Sequence, residues 1–132
     1  MKEKSCGAIV IYQGKVLLIE SKEGIIGFPK GHVENNESEE ETALRECFEE
    51  TNTKASIING FREEISYYMP EHEANKTVVF FVGTIDKSDL KKQESEISDI
   101  KIMSVKEALK IISFDDTKKL LKKAEKFFVN LK

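Results

Sequence analysis

Apolar residues recur along this chain with two different periods. From Ser5 to Tyr12, and again from Lys15 to Glu20, they form runs rich in Ile, Val and Leu, separated by Gln13 and Gly14. Two such runs joined by a short glycine-containing turn predict a β-hairpin. Gly24 to Lys30 predicts a loop, broken by Gly24, Gly27 and Pro29. Ser56 to Met69 alternates weakly around Gly60 and predicts a strand, a bend and a second strand. Pro70 to Asn75 predicts a polar turn. Lys76 to Ile85 is β-branched and aromatic throughout, the pattern of a buried strand. Asp86 to Ser95 predicts a charged loop, and Ile97 to Ser104 a last short strand in which Ile100 and Ile102 alternate. The period then changes to three and four. Val105 to Ile112 and Thr117 to Val129 predict helices, the latter through Leu120, Leu121, Ala124, Phe127 and Phe128.

The helical period also governs Gly31 to Thr53, around which the rest is arranged. Ser38 followed by Glu41 is a capping box, so a helix is expected to begin just after Ser38. Ala43, Leu44, Cys47, Phe48 and Thr51 make its apolar stripe, and Asn52 suits the left-handed residue that ends a helix. Strands before and after this helix, with helices last, predict a mixed sheet between helices.

Charge changes the picture of that helix. Glu39, Glu40 and Glu41 occupy the first turn, where the helix dipole welcomes them. Glu46, Glu49 and Glu50 occupy the last two turns, where it does not, and their i, i+3, i+4 spacing puts them on one face. Such a face is ordinarily just solvated. Otherwise something positive must stand between the carboxylates. Arg45 cannot face all three, whereas a hard divalent cation such as Mg²⁺ or Mn²⁺ takes oxygen ligands of this kind.

Composition bounds the remaining possibilities. The chain has 132 residues, enough for one domain with a real core, expected to span 1–132. With a net charge of −3, a nucleic-acid duplex is not the default partner, and a phosphate-handling site needs a cation. Cys6 and Cys47 form no CxxC or zinc spacing. Their expected role is that of small buried apolar residues in a reducing cytoplasm. No signal peptide or membrane-spanning stretch is expected.

Gly31, Glu37, Arg45, Glu46, Glu49 and Glu50 fall at the offsets of G-x5-E-x7-R-E-U-x-E-E-x-G-U, with U a bulky aliphatic residue. The stretch thus resembles the Nudix box, departing from it at Cys47, Asn52 and Thr53. The resemblance implies an α/β fold, an α/β/α sandwich with a curved mixed sheet, and hydrolysis of a nucleoside diphosphate linked to another group. It implies Glu46, Glu49 and Glu50 as metal ligands, with the Gly31 carbonyl as a further one. Arg45 would orient the carboxylates, and Glu37 would bond back to the loop. For Arg45 a plain i, i+4 pair with Glu41 or Glu49 is compatible with that role.

Outside the box, Gly27 to Glu34 (GFPKGHVE) is similar to a segment of asymmetrically cleaving diadenosine tetraphosphate hydrolases. That resemblance implies a dinucleoside tetraphosphate substrate and phosphate contacts from Lys30, His32 and Lys76. It makes Tyr67 and Phe114 candidates to stack on a base. Glu96 becomes a further metal ligand or the base that activates water. Each has an ordinary alternative: a loop histidine, a solvated lysine, core aromatics, one more loop carboxylate. RNA 5′-end pyrophosphate removal and nucleoside triphosphate hydrolysis are the alternatives within this chemistry. A nucleotide-binding regulatory module is the alternative from another class. The sequence leaves the oligomeric state open between monomer and dimer.

Overall fold

The computed structural model describes residues 2–85 and 100–131. Strands β1 (Lys2–Tyr12) and β2 (Lys15–Glu20) form the expected hairpin, with Gln13 and Gly14 both at positive φ in its turn. Two short strands follow, β3 (Ile26–Gly27) and β4 (Lys30–His32), where the sequence predicts only loop. Local chemistry there is indeed that of a loop. Pairing comes from distant partners: β3 against β2, and β4 against β1 from Gly7↔Lys30 to Ser5↔His32.

Helix α1 (Glu39–Thr51) has the expected limits. Both halves of the Ser38–Glu41 capping box form, and Asn52 closes the helix at φ 56°. The apolar stripe is narrower than expected. Thr42, Ala43, Cys47 and Thr51 are buried and Leu44 is half-buried, while Phe48 is 43% exposed. Ala43, Cys47 and Thr51 repeat every fourth residue, and their small side chains suit close packing on the sheet; Phe48 lies about 100° around the helix from Cys47. Thr51 donates to the Cys47 carbonyl (2.6 Å) and Thr53 to the Thr51 carbonyl (3.2 Å), so both buried hydroxyls are satisfied.

Strand β5 (Ser56–Met69) is continuous, and the predicted bend at Gly60 is a register shift between Ile58 and Arg62. Gly60 has φ +114°, which other residues rarely adopt. A short 3₁₀ turn (Pro70–His72) leads into β6 (Ala74–Thr84). Then come β7 (Ile100–Ser104), α2 (Val105–Ile111) and α3 (Asp115–Val129), close to the predicted elements. The predicted charged loop, and the start of the last strand before Ile100, lie outside the described residues.

The sheet is mixed, ordered β3-β2-β1-β6-β5, with β4 also pairing β1 and β7 also pairing β2. β1 and β6 run parallel at its centre. Their two faces feed separate cores. Ile9, Ile11, Val78, Phe80 and Val82 pack with Ala108, Leu120, Leu121 and Ala124 of α2 and α3. Cys6, Ala8, Val10, Val79 and Phe81 form the cores that include Ala43 and Cys47 of α1. Both central strands are therefore buried on two sides, which explains their nearly unbroken apolar runs. The arrangement is the expected α/β/α sandwich.

Candidate active site

Arg45 organises the C-terminal half of α1. Its Nε and Nη2 donate to the two oxygens of Glu37 (2.6 and 3.1 Å). Nη1 donates to Glu46 (2.7 Å) and Glu49 (3.2 Å), and Nη2 also reaches the His32 carbonyl (2.9 Å). One guanidinium thus joins the loop, β4 and the helix, using the planar fork that lysine lacks. Glu37 bonds back to the loop by accepting from the Glu34 N–H (3.0 Å), and takes a further bond from the Thr42 hydroxyl (2.9 Å). The Arg45 bonds, then the Glu34 N–H, hold the Glu37 carboxyl at about 2.

Glu50 faces differently. It accepts from the Lys30 N–H at 3.0 Å and has no bond to Arg45 among the described contacts. Burial pushes its carboxyl up to about 7; the charges of Glu46 and Glu49 add to this, and the Lys30 N–H opposes it. Glu46, Glu49 and Glu50 therefore share the end of α1 but do not converge. Among the described residues, no three acidic, histidine or cysteine side chains form a ready-made metal cage.

The donor set nevertheless suits a hard divalent cation. All donors are carboxylate or carbonyl oxygens, and Glu50 is a half-buried acid that no salt bridge neutralises among the described contacts, with the Lys30 charge only partly offsetting its burial. Gly31 matters here because a Cβ at this position would overlap the Glu46 carboxyl group. Only glycine lets the loop backbone lie against that carboxylate.

On the opposite face of the sheet opens a cleft of about 840 Å³. Lys30, Phe28, Tyr67, Phe80, Phe114 and Asp116 are among its walls. Ile26 and Ser113 exchange two bonds, Ile26 N–H to Ser113 Oγ (2.9 Å) and Ser113 N–H to the Ile26 carbonyl (3.2 Å). These tether the segment carrying Phe114 to β3. Tyr67 and Phe114 are 43% and 56% exposed, so neither is a core aromatic. Burial first, and then the neighbouring Lys76, lower the Lys30 ammonium below its ordinary range.

The expected site residues are only partly gathered. Lys30, Tyr67 and Phe114 line the cleft. His32 and Lys76 are not among its walls but lie beside it on the same sheet face, since the pairs Gly7↔Lys30, Ser5↔His32 and Glu3↔Lys76 keep one pleat. His32 turns its Nε2 to Glu3 (3.3 Å), and Lys76 is 8% exposed. Glu96 lies outside the described residues. Sequence reasoning missed Thr42, whose hydroxyl fixes Glu37, and Glu3, which holds His32. Neither carries a local signal: one looks like a core threonine, the other like a charged strand end.

Comparison with known proteins agrees with this geometry. The NUDIX domain family pattern matches residues 1–124. The pig (Sus scrofa) bis(5′-nucleosyl)-tetraphosphatase [asymmetrical] is 31% identical, covering 99% of each chain. An RNA pyrophosphohydrolase of Nitratiruptor is 34% identical, over 66% of this chain and 63% of that one. The crystal structure of C. elegans Ap4A hydrolase superposes with a TM-score of 0.81 at 25% identity, covering 97% of this chain and 99% of that one. With a box locked by Arg45, joined through β4 to a cleft on the other face of the sheet, and kinship along nearly its whole length, this chain belongs to the NUDIX domain family and is a hydrolase of nucleotide phosphoric anhydrides.

Proposed function

We propose that the enzyme depends on a divalent cation and hydrolyses dinucleoside polyphosphates, cutting a dinucleoside tetraphosphate asymmetrically into nucleoside tri- and monophosphate. One observation carries this reading: a single cleft joins a lysine next to the box, Lys30, to exposed aromatic walls at Tyr67 and Phe114. Phosphates are drawn to the first and a base to the second. The near full-length likeness to the pig tetraphosphatase supports the same substrate class.

NUDIX hydrolases generally use divalent metals; here Mg²⁺ or Mn²⁺ would be held by Glu46, Glu49, Glu50 and the Gly31 carbonyl. Bound there, such a cation would supply Lewis-acid polarisation of a phosphoryl oxygen and make water a better nucleophile. Arg45 sets the carboxylates that hold it, and Glu37 fixes Arg45. Lys30, with Lys76 and His32 alongside, would bind phosphate oxygens and place one phosphorus at the box. Water adds to that phosphorus, its bridging P–O bond breaks, and the water proton passes to a carboxylate. Glu50 and Glu96 are the candidates to accept it.

Removal of pyrophosphate from an RNA 5′ end is the second reading, favoured by the Nitratiruptor relative. A substrate panel separates the two. Dinucleoside tetraphosphate, triphosphate-ended RNA and free triphosphates are compared with Mg²⁺, in water labelled with heavy oxygen. We expect the highest kcat/KM for the tetraphosphate, with label in one product only. A much higher kcat/KM for either alternative overturns the substrate assignment.

A further inference from the structure

The cleft face of the sheet continues beyond the cleft as a row of polar side chains. Through the register, Lys30 and His32 of β4, Ser5 and Glu3 of β1, Lys76 of β6 and Tyr67 of β5 share that face. The row is rich in donors. Lys76 is nearly buried, and Ser5 Oγ is the buried side-chain oxygen or nitrogen left without a hydrogen-bond partner among the described residues. Such orphaned polar groups are rare in folded proteins and call for an explanation.

Glu3 supplies the acid in this row. One of its oxygens meets His32 Nε2 at 3.3 Å, and the other meets His72 Nδ1, on the turn before β6, at 3.0 Å. These are the only two histidines of the sequence. Lys76 pairs with Glu3 across the strands and adds its charge. The carboxylate therefore sits where imidazoles and a lysine converge from three elements. Its bonds are weakly held, because His32 and His72 have side chains 65% and 54% exposed. A phosphate has more charge and more acceptor oxygens than a carboxylate, and it suits the same donors.

We infer that Glu3 is a built-in counter-anion at the outer end of a phosphate track, occupying the place of the last phosphate of a long polyphosphate and so limiting the chain length that the enzyme accepts. This rests on the polyphosphate reading of the cleft and adds to it a specificity residue. A short substrate ends before Glu3 and does not meet it. A long one must displace Glu3 from His32 and His72, or stop short.

The test removes the charge and keeps the shape. Binding of inorganic pyrophosphate, tripolyphosphate and hexaphosphate is measured by calorimetry, without divalent cation, for the parent protein and Glu3→Gln. Turnover of dinucleoside tetraphosphate and hexaphosphate is measured with Mg²⁺. The expected result is hexaphosphate binding tightened by roughly three- to tenfold, with pyrophosphate binding nearly unchanged, because only the longer ion meets the missing charge. The kcat/KM ratio of hexaphosphate to tetraphosphate substrate should rise in parallel. Equal effects at all lengths, or weaker binding throughout, overturn the inference and make Glu3 a support for His32. If Glu3→Gln disturbs β1, Glu3→Thr, uncharged and suited to a strand, takes its place with the same expected outcome. A parent enzyme that spares dinucleoside substrates, while Glu3→Gln still tightens hexaphosphate, refutes the substrate reading alone. A parent that cuts them, with no length-dependent gain in the variant, refutes the role of Glu3 alone.

Discussion

Glu49 lies at the solvent edge of the box, with a side chain 55% exposed and a bond to Arg45 at 3.2 Å. An exposed helical carboxylate contributes little to stability, so its removal separates chemistry from fold. Glu49→Gln is expected to lower turnover by a factor of roughly a hundred or more, with an unchanged melting temperature. Steady-state kinetics beside a thermal melt check this, and undiminished turnover would remove Glu49 from the metal ligands. At this scale the sequence was informative where chemistry demands spacing. Glu46, Glu49 and Glu50 declare themselves because helix geometry ties offset to face, whereas Gly31, Glu37 and Arg45 were legible only through the resemblance to the Nudix box. Thr42 and Glu3 were not legible, because their contacts with Glu37 and His32 depend on rotamers and on a strand pairing that no local pattern specifies.

Elements show the same division. The limits of α1 were legible because Ser38, Glu41 and Asn52 act within one turn of themselves. Ser38→Ala removes one half of the capping box and should cost about 1 kcal/mol, read as a lower midpoint in urea unfolding with an unchanged slope. A midpoint equal to the parent's would show that tertiary contacts alone fix the start of α1. Strands β3 and β4 were not legible, since two or three residues carry no period and their partners are remote. A second contact at the start of α1 is electrostatic. Glu39 bonds Arg62 of β5 through both oxygens (2.8 Å each) and pairs with Lys4 of β1. The Arg62 bonds, then Lys4, hold the Glu39 carboxyl at about 2, below its ordinary value of 4.5. A carboxyl depressed on folding stabilises the native state above its unfolded pKa and ceases to do so as pH falls through its folded one. The stability difference between the parent and Glu39→Gln should therefore be full above about pH 5 and shrink toward pH 2. Unfolding curves across that window test it, and a constant difference would assign the stabilisation to packing.

For the molecule as a whole, the two sides of the sheet divide the work. The box projects from α1 on one side, the cleft opens on the other, and β4 connects them: Gly31 lies against Glu46 while Lys30 faces the cleft. The layered architecture was legible from the alternation of strand and helix periods. The cleft was not, because β2, β3, β5, β6 and α3 each contribute only a few wall residues. Removal of divalent cations with a chelator should abolish activity, and Mg²⁺ or Mn²⁺ should restore it, with far-ultraviolet circular dichroism unchanged throughout. Activity that survives chelation would overturn the metal assignment. No helix among the described residues is long and apolar enough to cross a membrane.

The parallel pairing of β1 with β6 also has a consequence in time. From Lys2↔Asn75 to Val10↔Gly83, the central strand meets its partner across most of the chain. During synthesis β1 leaves the ribosome well before β6, and its edge toward β6 stays open until that strand has followed. Contacts so distant in sequence slow folding, because the intervening loop must close before they form. The hairpin with β2 can form early, but the sheet that carries the box cannot. Nascent chains of this protein should therefore spend their longest vulnerable interval with Cys6 to Ile11 uncovered, the stretch on which a chaperone would have to act.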